Sequence, residues 1–298
     1  MRPLAAIALA ATLSACVEPA RDNELPDRSG FANAVLEGYP AQIRSWGDGL
    51  NGGDTGFAGR LGPQLDRDDT RLDILALSSG GADGAFGAGV LRGWSEAGTR
   101  PVFDIVTGVS TGAIIAPFAF LGSEGDAALE RFYTATSTLD LVQPTPLLAL
   151  RGGPAVADTR PLAQIVASVI DEALLERIAA EHRAGRRLLI ASTNLDAERP
   201  VYWDIGEIAA SDNPGAAALV RRIILASSAI PGAFPPVEFA VSVDGAPAGE
   251  LHVDGGVTRE VFALPFGTSI AAIEAARGAP FAERNIWVVV NNKIDPEF

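Results

Sequence analysis

The stretch from Val106 to Phe120, VTGVSTGAIIAPFAF, constrains the fold most, because it takes an apolar strand through a sharp corner into an apolar helix. Gly108 and Gly112 stand on either side of Ser110 at this corner. The backbone folds back on itself there, so side chains at the two glycine positions would clash. The following helix points its free N–H groups at the serine, where they favour negative charge. The stretch therefore predicts a nucleophile elbow, although Ser110 could also be a plain helix cap beside two turn glycines.

The rest of the chain repeats this alternation of strands and helices. Apolar runs of strand length predict strands at residues 72–77, 102–107, 188–192, 201–204, 237–243, 251–253 and 285–290. Helical spacing of apolar residues predicts helices at residues 31–46, 85–97, 111–120, 126–136, 161–180 and 219–226. Strands that alternate with helices pack as a sheet covered on both faces. The sequence thus predicts an α/β fold, a three-layer sandwich with a mostly parallel central sheet.

Ser110 needs a proton acceptor to act as a nucleophile, and the chain holds only 2 histidines. His182 lies in the charged helix end AAEHRAGRR, where we expect it in solvent. His252 stands two residues before Asp254 in ELHVDGGV, so the two would share one face of a strand. These residues alone are consistent with a triad in which His252 is the base. They are equally consistent with a Ser110–Asp254 dyad, in which burial would make the carboxylate a competent base.

A glycine-rich turn, SSGGADG, follows the strand predicted at 72–77 and precedes a helix. Successive backbone N–H groups in such a turn suit an oxyanion or a phosphate. The glycines of this region do not have the G-x-G-x-x-G spacing of a dinucleotide site, and Asp83 would repel a pyrophosphate. We therefore expect an oxyanion loop.

The charge balance excludes several partners. Asp and Glu number 37 against 23 Lys and Arg, which gives a formal net charge of -14. Nucleic-acid binding needs clustered basic residues, so no nucleic-acid partner is expected. The same balance argues against electrostatic docking on anionic lipid. No metal-ligand spacing is apparent, and neither a metal nor another cofactor is expected.

The N-terminal sequence MRPLAAIALAATLSACVEP is typical of a secretory signal peptide, because Arg2 precedes an apolar run too short to span a bilayer. The run ends in Leu-Ser-Ala-Cys, which resembles the bacterial lipoprotein processing site. Cys16, the single cysteine, would then be lipidated; a plain signal peptide that contains a cysteine is the alternative. Lipidation predicts anchoring to a membrane of the bacterial cell envelope. Val17 resembles a sorting pattern for the periplasmic side of the outer membrane.

Three motifs follow one another in a fixed order. They are Ser79-Gly80-Gly81-Ala82-Asp83-Gly84, Gly108-Val109-Ser110-Thr111-Gly112 and Asp254-Gly255-Gly256. This order resembles that of the patatin-like phospholipases and the related cytosolic phospholipase A2 catalytic domain. The stretches DTRPLAQIV, ASTNLDAERPVYW and RRIILASSAIPGAFPPV are also similar to that family. The resemblance covers about residues 72–290 and implies a patatin-like fold.

The resemblance also implies a role for each motif. Ser110 would be the nucleophile and Asp254 the base, with His252 outside the reaction. Backbone N–H groups of Gly80, Gly81 and Ala82 would form the oxyanion hole. The remaining motif glycines would let the loops approach one another: Gly84, Gly108, Gly112, Gly255 and Gly256.

The implied activity is that of a carboxylic ester hydrolase, a serine lipid acyl hydrolase of phospholipase A, lysophospholipase or esterase type. It would act on a lipid or acyl ester through an acyl-enzyme, without a cofactor. A catalytically silent lipid-anchored binding or scaffold protein, and an acyltransferase with the same fold, are the alternatives. The implied organisation is a signal peptide at 1–15, a lipidated N-terminus and tether at 16–30, an N-terminal helix and loop at 31–71, and the catalytic domain at 72–298.

Two residues depart from the family pattern. Ser79 replaces the first glycine of the loop, and Asp83 replaces the Lys or Arg before the last one. A carboxylate in place of a cation disfavours an anionic head group, so we expect neutral or zwitterionic esters. Apolar residues that could line the path of an acyl chain, or belong to the core, are Leu139, Leu141, Val142, Leu147 and Leu148.

Overall fold

The computed structural model describes residues 21–26, 30–48, 56–66, 68–135, 143–144 and 157–292. The predicted signal peptide, Cys16, most of the tether and the five apolar residues between 139 and 148 lie outside these ranges. Within the described residues, no helix has both the length and the apolar character needed to cross a membrane.

Eight of the described strands form one sheet, and two short strands pair separately. The strands are β1 (Arg44–Trp46), β2 (Arg71–Leu77), β3 (Ile105–Val109), β4 (Gln143–Pro144), β5 (Ala157–Asp158), β6 (Arg187–Asn194), β7 (Arg199–Asp204), β8 (Val237–Val243), β9 (Ala246–Asp254) and β10 (Glu283–Val289). The order across the sheet is β1-β7-β6-β3-β2-β10, and β9 pairs with both β6 and β8.

The sheet is mostly parallel, as the sequence predicts. Strands β10, β2, β3 and β6 are parallel neighbours. Strands β7 and β9 run antiparallel to β6, whereas β1 and β8 reverse direction again and run with the parallel group. The central strands are buried on both faces, which explains why they appear in the sequence as continuous apolar runs.

Helices cover both faces of this sheet. The described helices are α1 (Phe57–Leu61), α2 (Gly84–Glu96), α3 (Thr111–Phe120), α4 (Asp126–Ala135), α5 (Arg160–Val169), α6 (Glu172–Arg183), α7 (Ile205–Ala209), α8 (Ala216–Ser227) and α9 (Ile270–Arg277). Leu75 and Val106 of the central strands belong to the core formed with α2, α3 and α8. Their neighbours Ile74 and Ile105 belong to a second core on the other face, formed with α1 and α9. The predicted α/β fold is therefore confirmed.

The predicted helix at 31–46 is wrong. This segment forms two 3-10 turns, Gly30–Ala32 and Ala41–Ile43, and then β1, which pairs with β7. Two residues between the turns prevent a continuous helix. Gly38 has a positive φ of 79°, and Pro40 has no N–H to donate. Three of the apolar residues that suggested a helix, Phe31, Leu36 and Ile43, are instead buried from these turns and the chain between them.

The single helix predicted at 161–180 is two helices, α5 and α6. The chain leaves helical geometry at Ile170, and Asp171 then caps α6 by accepting a hydrogen bond from the Leu174 N–H at 2.8 Å. An aspartate at this position starts a new helix more readily than it continues one, because its side chain competes for backbone N–H groups.

Candidate active site

Ser110 occupies the corner between β3 and α3. Its backbone has φ 54° and ψ −119°, a conformation that a residue with a side chain rarely adopts. The flanking glycines make the corner possible. A Cβ atom on Gly108 would lie 2.4 Å from the Gly112 carbonyl oxygen, and one on Gly112 would lie 2.4 Å from the carbonyl oxygen of Leu77. The motif is thus a steric requirement of bringing α3 back against β2 and β3.

Asp254 reaches Ser110 because two strands meet along one edge of β6. Strand β3 pairs with β6 as far as Val109, which is opposite Ala191. Strand β9 pairs with the next residue of β6, Ser192, through Asp254. The ends of β3 and β9 therefore meet, because they pair with consecutive residues of β6.

The resulting contact is short and buried. The Ser110 Oγ donates to Asp254 Oδ2 at 2.6 Å, although the residues are 144 positions apart in the chain. The other carboxylate oxygen, Oδ1, accepts from the Gly256 N–H at 2.7 Å, which fixes the orientation of the carboxylate. Gly255 must be a glycine here, since a Cβ atom would lie 2.5 Å from the Ala191 carbonyl oxygen.

Burial raises the pKa of the Asp254 carboxyl above its ordinary value of 3.8. The hydrogen bonds from Ser110 and Gly256 act in the opposite direction, because they stabilise the carboxylate. No charged side chain among the described residues contributes to this shift. A carboxylate with a raised pKa is a stronger base than one in water, and it stands at hydrogen-bond distance from a hydroxyl.

A cleft of about 330 Å³ opens onto the Ser110–Asp254 pair. It is lined by Ser79, Gly80, Gly81, Ser110, Ile230, Pro231, Asp254, Gly256, Val257 and Asn292. A larger groove of about 410 Å³ lies between α8 and β8, but neither Ser110 nor Asp254 borders it. The smaller cleft is therefore the one with chemical groups suited to ester hydrolysis.

The predicted oxyanion loop forms one wall of this cleft. Gly81 has a positive φ of 56°, and Gly80 packs so tightly on Asn291 that a Cβ atom would lie 2.0 Å from its carbonyl oxygen. The Ser79 N–H is already bound to the Glu260 carbonyl at 2.9 Å. The amides of Gly80 and Gly81 have no such acceptor within the described part of the chain. Ala82 lies in the 3-10 turn Gly81–Asp83 and does not line the cleft.

Gly84 has a packing role in this arrangement. A Cβ atom on it would lie 2.0 Å from Thr111 Oγ1 and 2.4 Å from the Tyr133 hydroxyl. The absence of a side chain lets the start of α2 approach the start of α3, which brings the oxyanion loop beside the elbow.

His252 is not placed to act on Ser110. Its ring is fully buried and packs against Trp203 and Phe239. Its Nδ1 is 2.9 Å from Ser192 Oγ, and its Nε2 is 3.4 Å from Glu250 Oε2. Burial lowers the pKa of His252 below its ordinary value of 6.5. Both ring nitrogens are thus engaged in contacts away from the elbow.

His182 is also buried, which corrects the expectation that it lies in solvent. Its Nε2 is 3.0 Å from Glu207 Oε2, and its Nδ1 is 3.7 Å from Asp204 Oδ1. These three residues could in principle hold a metal ion, since one ligand atom from each lies within 4.8 Å of the others. The Arg187 guanidinium stands 3.9 Å from Asp204, however, and its charge disfavours a second cation. The sequence spacing had not shown this cluster, because its members come together only through the packing of α6 on α7.

Sequence reasoning missed Ser227, the last residue of α8. Its Oγ accepts a hydrogen bond from the Ser110 N–H at 2.9 Å and donates to the Ala191 carbonyl at 2.6 Å. The only signal in the sequence was the stretch RRIILASSAIPGAFPPV, which stood out as a whole without singling out this serine.

The comparison with protein-family models agrees with the motifs. The family model described as Patatin-like phospholipase matches residues 75–266, which include Gly80, Ser110 and Asp254. No curated protein matches the chain. Among solved structures, the crystal structure of VipD from Legionella pneumophila matches at 13% identity with a TM-score of 0.43, covering 74% of this chain and 50% of that chain. This chain thus spans about half the length of that relative.

Replacing Gly112 with alanine tests the steric account of the elbow. The added Cβ would lie 2.4 Å from the Leu77 carbonyl oxygen, and a backbone atom cannot easily move away. We expect the free energy of unfolding to fall by about 2 kcal/mol or more.

Gly89→Ala is the matched control, because a Cβ at this exposed site in α2 meets no atom within 4 Å. It should stabilise the protein by about 0.5 kcal/mol or more through helix propensity. Urea titration compares the two, and equal stability of Gly112→Ala and the unmodified protein would contradict the account.

Proposed function

The chain belongs to the patatin-like phospholipase family, and from this premise we propose that it is a serine lipid acyl hydrolase with a Ser110–Asp254 dyad. The family hydrolyses lipids, and the dyad is our assignment. The observation that carries it is the 2.6 Å hydrogen bond from the Ser110 hydroxyl to the buried Asp254 carboxylate. Covalent catalysis requires a nucleophile, a base within hydrogen-bond distance of it and donors for the oxyanion. Ser110, Asp254 and the amides of Gly80 and Gly81 match these requirements.

In the first half of the reaction, the Asp254 carboxylate takes the proton of the Ser110 hydroxyl as Oγ attacks the ester carbonyl carbon. The carbonyl oxygen becomes an oxyanion, which the amides of Gly80 and Gly81 can receive in the cleft. A donor of this kind contributes about 3–4 kcal/mol to the stability of the transition state. The ester C–O bond then breaks. The departing alcohol takes the proton from Asp254 and leaves the acyl group on Ser110.

In the second half, water replaces the alcohol. Asp254 accepts a proton from the water, and the hydroxide attacks the acyl carbonyl carbon. The same amides receive the second oxyanion. When the tetrahedral intermediate collapses, Ser110 recovers its proton from Asp254 and the carboxylic acid is released. One carboxylate thus serves as base and acid in turn, which is consistent with its raised pKa.

The lining of the cleft favours a substrate without negative charge near the ester. Among the described residues, the lining includes no Lys or Arg, and Asp254 carries its only charge. Asp83 is exposed directly after the oxyanion loop. At the mouth, Ile230 and Val257 are 42% and 54% exposed, which suits contact with an acyl chain. We therefore include neutral or zwitterionic esters in the proposal.

The site of action proposed here is the bacterial cell envelope. A lipid on Cys16 would hold the catalytic domain at a membrane through the chain between Cys16 and β1. Stable anchoring takes about two acyl chains, which a lipidated cysteine can carry. Val17 favours the periplasmic side of the outer membrane. Such an anchor would bring the cleft close to lipid without a basic surface, which suits a chain with a net charge of -14.

Substitution of the dyad tests the mechanism directly. Ser110→Ala should lower kcat/KM for p-nitrophenyl esters by at least about a thousandfold, because it removes the nucleophile. Asp254→Asn should lower it by about a hundredfold or more, because the amide cannot accept the proton. His252→Gln, a substitution in the buried network beyond the dyad, should retain most of the activity. A large loss in His252→Gln with activity retained in Asp254→Asn would instead support a triad.

The pH dependence of the reaction reports on Asp254. The carboxylate must be ionised to act as base, so activity is lost as pH falls through its pKa. Because burial raises that pKa, half of the maximal kcat/KM should be lost at a pH above 3.8. Circular dichroism over the same range checks that the protein stays folded. Half-maximal activity at or below 3.8 would contradict the assignment of Asp254 as a buried base.

Product analysis separates the proposal from its alternatives. With a mixed lipid extract, the unmodified protein should release free fatty acid, and Ser110→Ala should not. Neutral and zwitterionic lipids should react at least about fivefold faster than anionic lipids. Two like charges about 4 Å apart repel each other by about 1 kcal/mol even in water. Mass spectrometry of the products makes both comparisons. New acylated products on addition of lysolipid would point to an acyltransferase. An unreactive Ser110 towards a fluorophosphonate probe would point to a silent binding protein.

A further inference from the structure

The end of α8 and the residues directly after it contact both members of the dyad. Ser227 Oγ accepts the hydrogen bond of the Ser110 N–H at 2.9 Å. Two residues later, the Ala229 carbonyl accepts the hydrogen bond of the Asp254 N–H at 2.9 Å. A single turn of backbone therefore holds the nucleophile on one side and the carboxylate on the other.

The geometry of the elbow makes the contact to Ser110 necessary. With φ at 54°, Ser110 belongs neither to the ladder of β3 nor to the interior of α3, so its N–H needs an acceptor from elsewhere. The residue is buried, and an unsatisfied buried N–H costs about 1–3 kcal/mol. The Ser227 hydroxyl supplies the acceptor. The Ser227 side chain is itself fully buried.

A second hydrogen bond of Ser227 fixes the orientation of its hydroxyl towards Ser110. Its hydroxyl donates to the Ala191 carbonyl at 2.6 Å, so the oxygen is fixed against β6 and presents a lone pair to Ser110. Ala191 is the β6 residue opposite Val109, and the next residue, Ser192, is opposite Asp254. The hydroxyl thus ties the elbow to Ala191, which is next in β6 to the residue that pairs with Asp254.

We propose that Ser227 is a positioning residue, whose hydroxyl holds Ser110 at hydrogen-bond distance from Asp254 and keeps the Ser110 N–H turned away from the cleft. This inference rests on the proposed function. One consequence concerns the oxyanion hole: the Ser110 amide is not one of its donors, so the loop amides at Gly80 and Gly81 carry that role without it.

The test compares kcat and KM of Ser227→Ala with those of the unmodified protein on a p-nitrophenyl ester, per active site titrated with a fluorophosphonate. Loss of the hydroxyl lets the elbow relax, and displacement of a reacting group by about 1 Å costs about a hundredfold in rate. We expect kcat per labelled site to fall by about 10-fold to 100-fold, with KM within about twofold, because the cleft is not altered. Ser242→Ala removes another buried serine hydroxyl, in β8, and should leave kcat per site unchanged.

The pH profile supplies a second readout that a change in stability alone would not move. The Ser110 hydrogen bond lowers the pKa of Asp254, so weakening that bond should shift the acid limb of kcat to higher pH in Ser227→Ala. If Ser227→Ala does not fold, Ser227→Cys keeps a side chain with a weaker acceptor, and its kcat per site should lie below that of the unmodified protein.

A kcat per labelled site within twofold of the unmodified protein in Ser227→Ala, or in Ser227→Cys where only that variant folds, would overturn the positioning role and leave the dyad intact. An unmodified protein that is not labelled at Ser110 and hydrolyses no ester would overturn the proposed function, and the role of Ser227 with it. The two failures are therefore distinguished by labelling of the unmodified protein.

Discussion

The pairing of β3 and β9 along one edge of β6 is the constraint on which the rest of the site depends. Parallel strand β3 arrives from one direction and antiparallel strand β9 from the other, and they end at consecutive residues, Ala191 and Ser192. Hydrogen-bond register in a sheet is discrete, so a slip would move Asp254 by whole residues and turn its side chain to the other face. The distance from Ser110 to Asp254 is therefore set by backbone pairing before any side-chain rotamer is chosen.

Burial of Asp254 favours the proposed reaction but costs stability when the carboxyl is charged. An Asp254 with a raised pKa binds its proton more tightly in the folded state than in the unfolded chain. Its contribution to stability is fully present below the unfolded pKa and is lost as pH rises through the folded pKa. The folded state thus favours the protonated form of Asp254, whereas the proposed reaction needs the charged form. The bonds from Ser110 and Gly256 offset part of this cost, and the shape of the elbow adds further strain.

The surroundings of the dyad follow from close backbone approach. Gly80 rests on Asn291, Gly84 on α3, Gly112 on the end of β2, and Gly255 on β6. Each contact would be blocked by a Cβ atom, so these four glycines mark places where separate segments touch. The cleft that remains presents amides, apolar side chains and one carboxylate, and this lining suits the neutral ester and the developing oxyanion that we propose.

The sequence by itself determined the parts of the protein that obey local sterics and spacing. Apolar runs in the sequence predicted the central strands. Gly108 and Gly112 predicted a corner at Ser110, because only glycine fits at these two positions. Local reasoning failed where a local signal was ambiguous: apolar spacing suggested a helix at 31–46 despite Gly38 and Pro40, and a charged helix end suggested that His182 lies in solvent.

The choice between His252 and Asp254 could not be made from spacing along β9, since both are near the same strand end. Only the tertiary structure shows that Asp254, and not His252, lies within hydrogen-bond distance of Ser110, and only the tertiary structure shows the contact of Ser227 and the burial of His182. The physical reason is that these features depend on strand register and helix packing between residues far apart in the chain, which no local pattern encodes.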